Sequence, residues 1–159
     1  MRYLSFYETM SGSYSLYSGS GDPARPPLPP RVERPLSFTI QTRSRGLWSF
    51  LRQPELAVEG EISAEGFADH KYTRGTLVLD ILRAGLLPYF LRFRTNDGQE
   101  CSFEGRKVLV RGAFVESMTV LPGSLRNAAG AEIGRALVRF DLRSDLFKFL
   151  RSFEIRRFG

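Results

Sequence analysis

Short runs of alternating apolar and polar residues, cut apart by turn formers, constrain this chain most. Leu36, Phe38 and Ile40 alternate with Ser37, Thr39 and Gln41, the period-2 pattern of a strand with one buried face. Leu77, Leu79 and Ile81 share a face of Thr76 to Leu82 in the same way. Pro88 to Thr95 and Gln99 to Lys107 flank Asn96-Asp97-Gly98. Asp-Gly between such runs predicts a tight hairpin, because the turn needs positive φ. Ser124 to Asn127 and Ile133 to Leu142 flank Ala128-Ala129-Gly130 and predict a second hairpin. Further strands are expected over Leu4 to Met10, continued by Tyr14 to Tyr17, and over Ala57 to Ile62. One or two more are expected between Val108 and Leu121.

Helical spacing shows in only two places. One is Ser44 to Arg52, and the other is Leu146 to Phe153 behind a Ser144 or Asp145 cap. Roughly eight to ten strands with so few helices exclude βαβ crossovers and suit antiparallel sandwiches and barrels. The expected fold is mainly β: an antiparallel barrel or strongly curved sheet with internal pseudo-repeats and two or three short helices. An open two-sheet sandwich is the alternative. The chain of 159 residues reads as one domain, residues 1–159, with an exposed loop at 19–35 that carries Pro23, Pro26, Pro27, Pro29, Pro30 and Pro35.

The chain also repeats itself. Phe6-Tyr7-Glu8-Thr9-Met10 returns as Phe114-Val115-Glu116-Ser117-Met118. A unit of strand plus short aromatic helix is read three times, at Leu36 to Arg52, Leu77 to Arg92 and Leu137 to Arg151. These repeats place Glu8 with Glu116 on an apolar face. They also place three aromatic pairs at equivalent positions: Trp48 with Phe50, Tyr89 with Phe90, and Phe147 with Phe149. Two inward carboxylates act as polar anchors or an acid/base pair, or else each takes a structural arginine such as Arg43 or Arg139. The aromatics line a cavity or plug the core.

The formal net charge is +6, nearly all from arginine, with Lys71, Lys107 and Lys148 the three lysines. Such a bias reflects a GC-rich genome as readily as an anionic partner, so nucleic acid is not the expected partner. Arg43, Arg45, Arg52, Arg83, Arg92, Arg94, Arg143 and Arg151 fall near the strand-to-helix junctions, and Arg156 and Arg157 follow. If those junctions share a rim, it is basic and aromatic.

Other motifs carry little. Gly19 to Ala24 matches a dinucleotide fingerprint by letters, but a proline-rich loop stands where the helix belongs. Pro26 to Arg31 fits a PxxPxR ligand and reads as a spacer. One histidine, His70, and one cysteine, Cys101, supply neither a metal site nor a disulfide, so no metal or cofactor is expected. Neither a nucleophile elbow nor a P-loop is present. The N-terminal MRYLSFYETMSGS has no apolar core of a signal peptide. Ile81 to Phe93 is broken by Arg83, Gly85, Pro88 and Arg92, so no transmembrane segment is expected. A cytoplasmic location follows as the expectation.

The opening Phe6 to Gly12, the strand Leu77 to Ile81, the hairpin leading to Phe103-Glu104-Gly105-Arg106-Lys107 and the closing Leu146 to Phe153 together carry a resemblance. The chain resembles a small β-rich accessory domain that accompanies bacterial glucose-methanol-choline oxidoreductases of the cholesterol-oxidase-like kind. The resemblance implies a helper role beside an oxidoreductase and a hydrophobic substrate such as a sterol or lipid. It implies no flavin chemistry and no catalytic residue.

The expected function is therefore a non-enzymatic accessory or binding module for a hydrophobic small molecule. Trp48, Phe50, Tyr89, Phe90, Phe147 and Phe149 would line its site, with Glu8 and Glu116 as polar anchors. Such a reading requires an internal pocket. The alternative is an electrostatic binder of nucleic acid or anionic membrane through an arginine-rich rim, which requires one coherent basic face.

Overall fold

The computed structural model describes residues 2–17, 32–80, 85–140 and 154–157. Nine strands alternate with two short helices. The strands are β1 (Arg2–Leu16), β2 (Arg34–Ser44), β3 (Glu55–Ala64), β4 (Ala68–Val78), β5 (Leu86–Arg94), β6 (Glu100–Val108), β7 (Val120–Asn127), β8 (Glu132–Arg139) and β9 (Glu154–Arg157). The helices are α1 (Leu47–Arg52), between β2 and β3, and α2 (Phe114–Thr119), between β6 and β7.

β1 to β8 form an antiparallel meander, and β8 pairs back onto β1, so the sheet closes into an eight-stranded barrel. Register partners followed from Ser5 through Arg43, Ala57, Thr76, Phe90, Glu104, Ser124 and Arg135 return to β1 ten residues along, at Ser15. That stagger tilts the strands by about 40° and gives a barrel about 8 Å in radius, narrow enough for side chains to fill. β1 is the long strand. Its second half takes β8 and its first residues take β9, so β9 covers the length of β1 that projects past β8.

Closure needs sharp local coiling, and glycine supplies it. Gly12, Gly60 and Gly75 sit on inward positions, where a Cβ would overlap the carbonyl oxygen of Leu137, Thr39 or Phe90 on the next strand. Gly105 and Gly123 face each other across β6 and β7, and the Phe103 ring lies over both, an aromatic covering a glycine pair.

The runs of β2 and β5 fold as the period-2 reading requires, whereas β4 ends at Val78, short of Leu79, and Ile81 lies outside the described residues. Leu36, Phe38, Ile40 and Thr42 of β2 point inward, as do Leu87, Tyr89, Leu91 and Phe93 of β5. Both turn predictions hold: β5–β6 turns at Asp97-Gly98 with Gly98 at φ 84°, and β7–β8 at residues 128–131 with Gly130 at φ 81°.

Three elements differ from expectation. Val108 to Leu121 holds α2 rather than further strands. Tyr89 and Phe90 lie in β5, not in a helix, so the strand-plus-helix unit does not recur there. The stretch around His70 is β4, entered through an irregularity where Ser63 is skipped in the pairing; His70 itself has φ 49°. The helix expected at Leu146 to Phe153 and most of the proline-rich loop lie outside the described residues.

Prolines mark where ladders stop. Pro88 lies one residue past the β4–β5 ladder and Pro122 one past the β6–β7 ladder, so neither has to donate on that side. Both forks open at the barrel end that carries α1 and α2.

Candidate functional site

The interior holds one polar cluster. Glu8 points inward from β1, Tyr89 from β5 and Lys107 from β6. Lys107 Nζ donates to Glu8 Oε1 at 2.6 Å, and the Tyr89 hydroxyl donates to Glu8 Oε2 at 2.8 Å. Lys107 Nζ also stands 5.0 Å from the centroid of the Tyr89 ring, a cation–π contact away from water. The Lys107 and Glu8 side chains are 2% and 4% exposed. Burial, then the negative charge and hydrogen bond of Glu8, push the Tyr89 phenol well above its ordinary range. The hydroxyl therefore stays a donor, and both carboxylate oxygens are occupied. Among the described residues no buried side-chain nitrogen or oxygen lacks a partner. Each of these buried polar atoms thus has at least one partner inside the barrel.

Around this cluster the barrel is filled. Met10, Ile40, Leu56, Leu91, Phe103 and Leu121 are each 0% exposed. A side chain with no accessible surface touches neither bulk water nor a water-sized void. Among the described residues these side chains leave no room beside them for the internal ligand that the sequence reading required.

The cavities lie on the outer wall. One, of about 770 Å³, spans the outer face of β4 to β7 near the Asp97-Gly98 turn. Its walls include Lys71, Tyr72 and Arg74 of β4 and Phe90 and Arg92 of β5. Arg74 and Arg92 face each other directly across the β4–β5 ladder, a like-charge pairing that disfavours the sheet unless something neutralises it. Among the described residues neither makes an ion pair, nor does Lys71, and Glu59 of β3 stands opposite Arg74 on its other side. The Arg92 guanidinium lies 5.3 Å from the Phe90 ring centroid, and Tyr72 is 62% exposed. The acids of this wall are engaged: Glu100 by Arg94 at 3.4 Å and Glu104 by Arg126 at 3.0 Å. A second cavity, of about 880 Å³, covers the fork between β6 and β7 and includes Pro88, Arg106, Pro122 and Arg135.

The structure brings together only two of the residues that the sequence singled out, Glu8 and Tyr89. Glu116 is exposed on α2 and has no equivalence with Glu8, because one copy of the repeat is helix and the other strand. Trp48 is 83% exposed on α1, and Phe50 is half-buried against the core. Phe90 faces outward. Phe147 and Phe149 lie outside the described residues. Neither expected arginine meets Glu8: Arg43 is exposed and stacks over Tyr3 at 5.0 Å, and Arg139 is exposed on β8. The missing partner is Lys107, which strand parity with Cys101, Phe103 and Gly105 places on the core face.

The expected arginine rim is not one rim. Arg43, Arg45 and Arg52 stand at the helix-bearing end, and Arg92 and Arg94 lie toward the opposite end of β5. Arg83, Arg143 and Arg151 are outside the described residues. His70 is exposed and pairs with Glu61 at 2.7 Å. Cys101 faces the interior, and burial pushes its thiol up. No Cys–His pair forms. Among the described residues no group of His, Cys, Asp or Glu could hold a metal ion, and no helix is long and apolar enough to cross a membrane.

Compared with known families, curated proteins and solved structures, the chain finds no match.

Proposed function

We propose that this chain is a non-enzymatic binding module that works through its outer wall, and that its ligand is anionic. One observation carries the reading: Arg74 and Arg92 face each other on an outer cavity that Lys71 also lines, and among the described residues none of the three makes an ion pair. The filled interior and the satisfied Glu8 cluster argue against an apolar guest inside the barrel. They also argue against chemistry by a glutamate pair. An accessory role beside an oxidoreductase, implied by the opening motif, fits a module with no reacting group of its own.

Retention on immobilised heparin tests the reading. Arg74→Glu/Arg92→Glu changes the net charge by as much as Arg45→Glu/Arg52→Glu, at the other end of the barrel. Retention falls far more in the first variant if the wall of β4 and β5 is the binding surface. Equal losses would mean that only total charge matters, and the localised reading would fail.

A further inference from the structure

The wall cavity carries more than charge. We propose that it is a binding track for single-stranded nucleic acid, a step that rests on the anion-binding reading above. Cations and rings alternate along two neighbouring strands. β4 presents Tyr72 and Arg74 outward, and β5 presents Phe90 and Arg92, all on one cavity of about 770 Å³ that Lys71 also lines. The buried Thr73 hydroxyl donates to the Arg92 carbonyl oxygen at 2.9 Å and ties the two strands together beneath them.

A strand of nucleic acid asks for this combination. Its phosphates need unengaged cations, and its unstacked bases need planar faces to lie on. Arg74 and Arg92, opposite each other on the ladder, can fork onto one phosphate, and Tyr72 is the next outward residue along β4. Tyr72 is the solvent-facing ring, and Arg92 already occupies a face of Phe90 in the way that a base would. An anionic membrane would use the charges and seat Tyr72 at headgroup level, so vesicles are the competing probe. A stretch of duplex would hide its base faces.

Fluorescence anisotropy of a labelled ten-nucleotide oligothymidylate, titrated with the intact protein from 50 to 300 mM salt, tests this. Two cation–phosphate contacts give a slope of log K against log salt of about −1.4, at roughly 0.7 per contact for single strands. Arg92→Gln lowers that slope to about −0.7 on the same scale. Tyr72→Ala leaves the slope in place and weakens binding about fivefold or more by removing one stack. Circular dichroism of each variant confirms that the barrel remains folded. A slope near zero overturns the proposal. So does an equal loss in Arg45→Gln/Arg52→Gln, or displacement of the oligonucleotide by adenosine monophosphate at the same concentration of nucleotide units. Phosphatidylserine vesicles that bind where the oligonucleotide does not would also overturn it. Localised heparin retention without oligonucleotide binding would remove the nucleic acid and leave the anion-binding reading standing.

Discussion

Replacing Lys107 by methionine keeps the length of the stem and removes the charge, which isolates what the buried ion pair does. At 2.6 Å and an effective dielectric near 20, the attraction is about 6 kcal/mol. Taking the two ions out of water costs several kcal/mol each, so the pair as a whole contributes little net stability. Its two halves are not separable, however. Lys107→Met leaves Glu8 charged, buried and short of a partner, and the expected loss is about 3–5 kcal/mol. For a chain of this size that corresponds to a fall in Tm of about 6–20 °C. Adding Glu8→Leu removes the orphaned charge and recovers most of the loss, but it strands the Tyr89 hydroxyl at a cost of about 1–3 kcal/mol. Adding Tyr89→Phe as a third change removes that cost. The triple variant is expected within about 1 kcal/mol of the parent, or above it. Urea unfolding with linear extrapolation measures all three, and an unchanged m-value shows that the same surface is exposed each time. A Lys107→Met variant that loses less than about 1 kcal/mol would refute the reasoning, since that result requires water to reach Glu8.

Other perturbations address the remaining structure. Gly75→Ala drives a Cβ into the carbonyl oxygen of Phe90 on a paired strand and is expected to cost about 1–3 kcal/mol or more by urea unfolding. Trp48→Ala leaves stability within about 0.5 kcal/mol, and the fluorescence of the sole tryptophan in the native protein resembles that of free indole, because the ring is 83% exposed. Cys101 stays slow toward a thiol reagent until the protein is unfolded, since the protonated thiol faces the core. The pH dependence has two limbs. Burial raises the phenols of Tyr89, Tyr14 and Tyr17, so the unfolded chain loses those protons first and stability falls as pH rises through the ordinary phenol range. The Tyr17 hydroxyl, at 2.5 Å, lowers the carboxyl of Glu132. Its contribution is present above the ordinary carboxylate range and is lost as pH falls below it. Thermal melts across pH check both limbs.

The barrel was legible because its strands obey one local rule. Inward and outward residues alternate along β2, β5 and β6 without interruption, and glycine marks the turns, so periodicity and turn chemistry agree. The repeats misled for a physical reason. Five matching letters do not fix a conformation when the surroundings differ: Phe6 to Met10 is held between β2 and the edge that β9 extends, whereas the second copy follows the Gly112 turn and bridges a fork in the sheet. Tertiary context overrode propensity there. Tyr89 falls within two expectations, the hairpin strand Pro88 to Thr95 and the second strand-plus-helix unit, and β5 bears out the strand.

The site was legible in half. Parity alone put Glu8 inward, and the same count on β6, from Cys101 through Phe103 and Gly105, puts Lys107 inward as well. A lysine on a core-facing parity is a stronger signal than an arginine anywhere on a rim, because it has to find an anion across the barrel or leave the fold unstable. No single strand contains that pairing. Glu8 and Lys107 are 99 residues apart, and only closure of the meander brings them together. The outer cavity was hidden in the same way: Tyr72 and Arg74 carry no motif of their own, and only the ladder sets Arg92 opposite Arg74. Composition had discounted the arginines as a bias of the genome, but a compositional bias does not decide which cations are left without carboxylates. Among the described residues Arg94 and Arg126 make ion pairs and Arg74 and Arg92 do not, a difference that the net charge does not report.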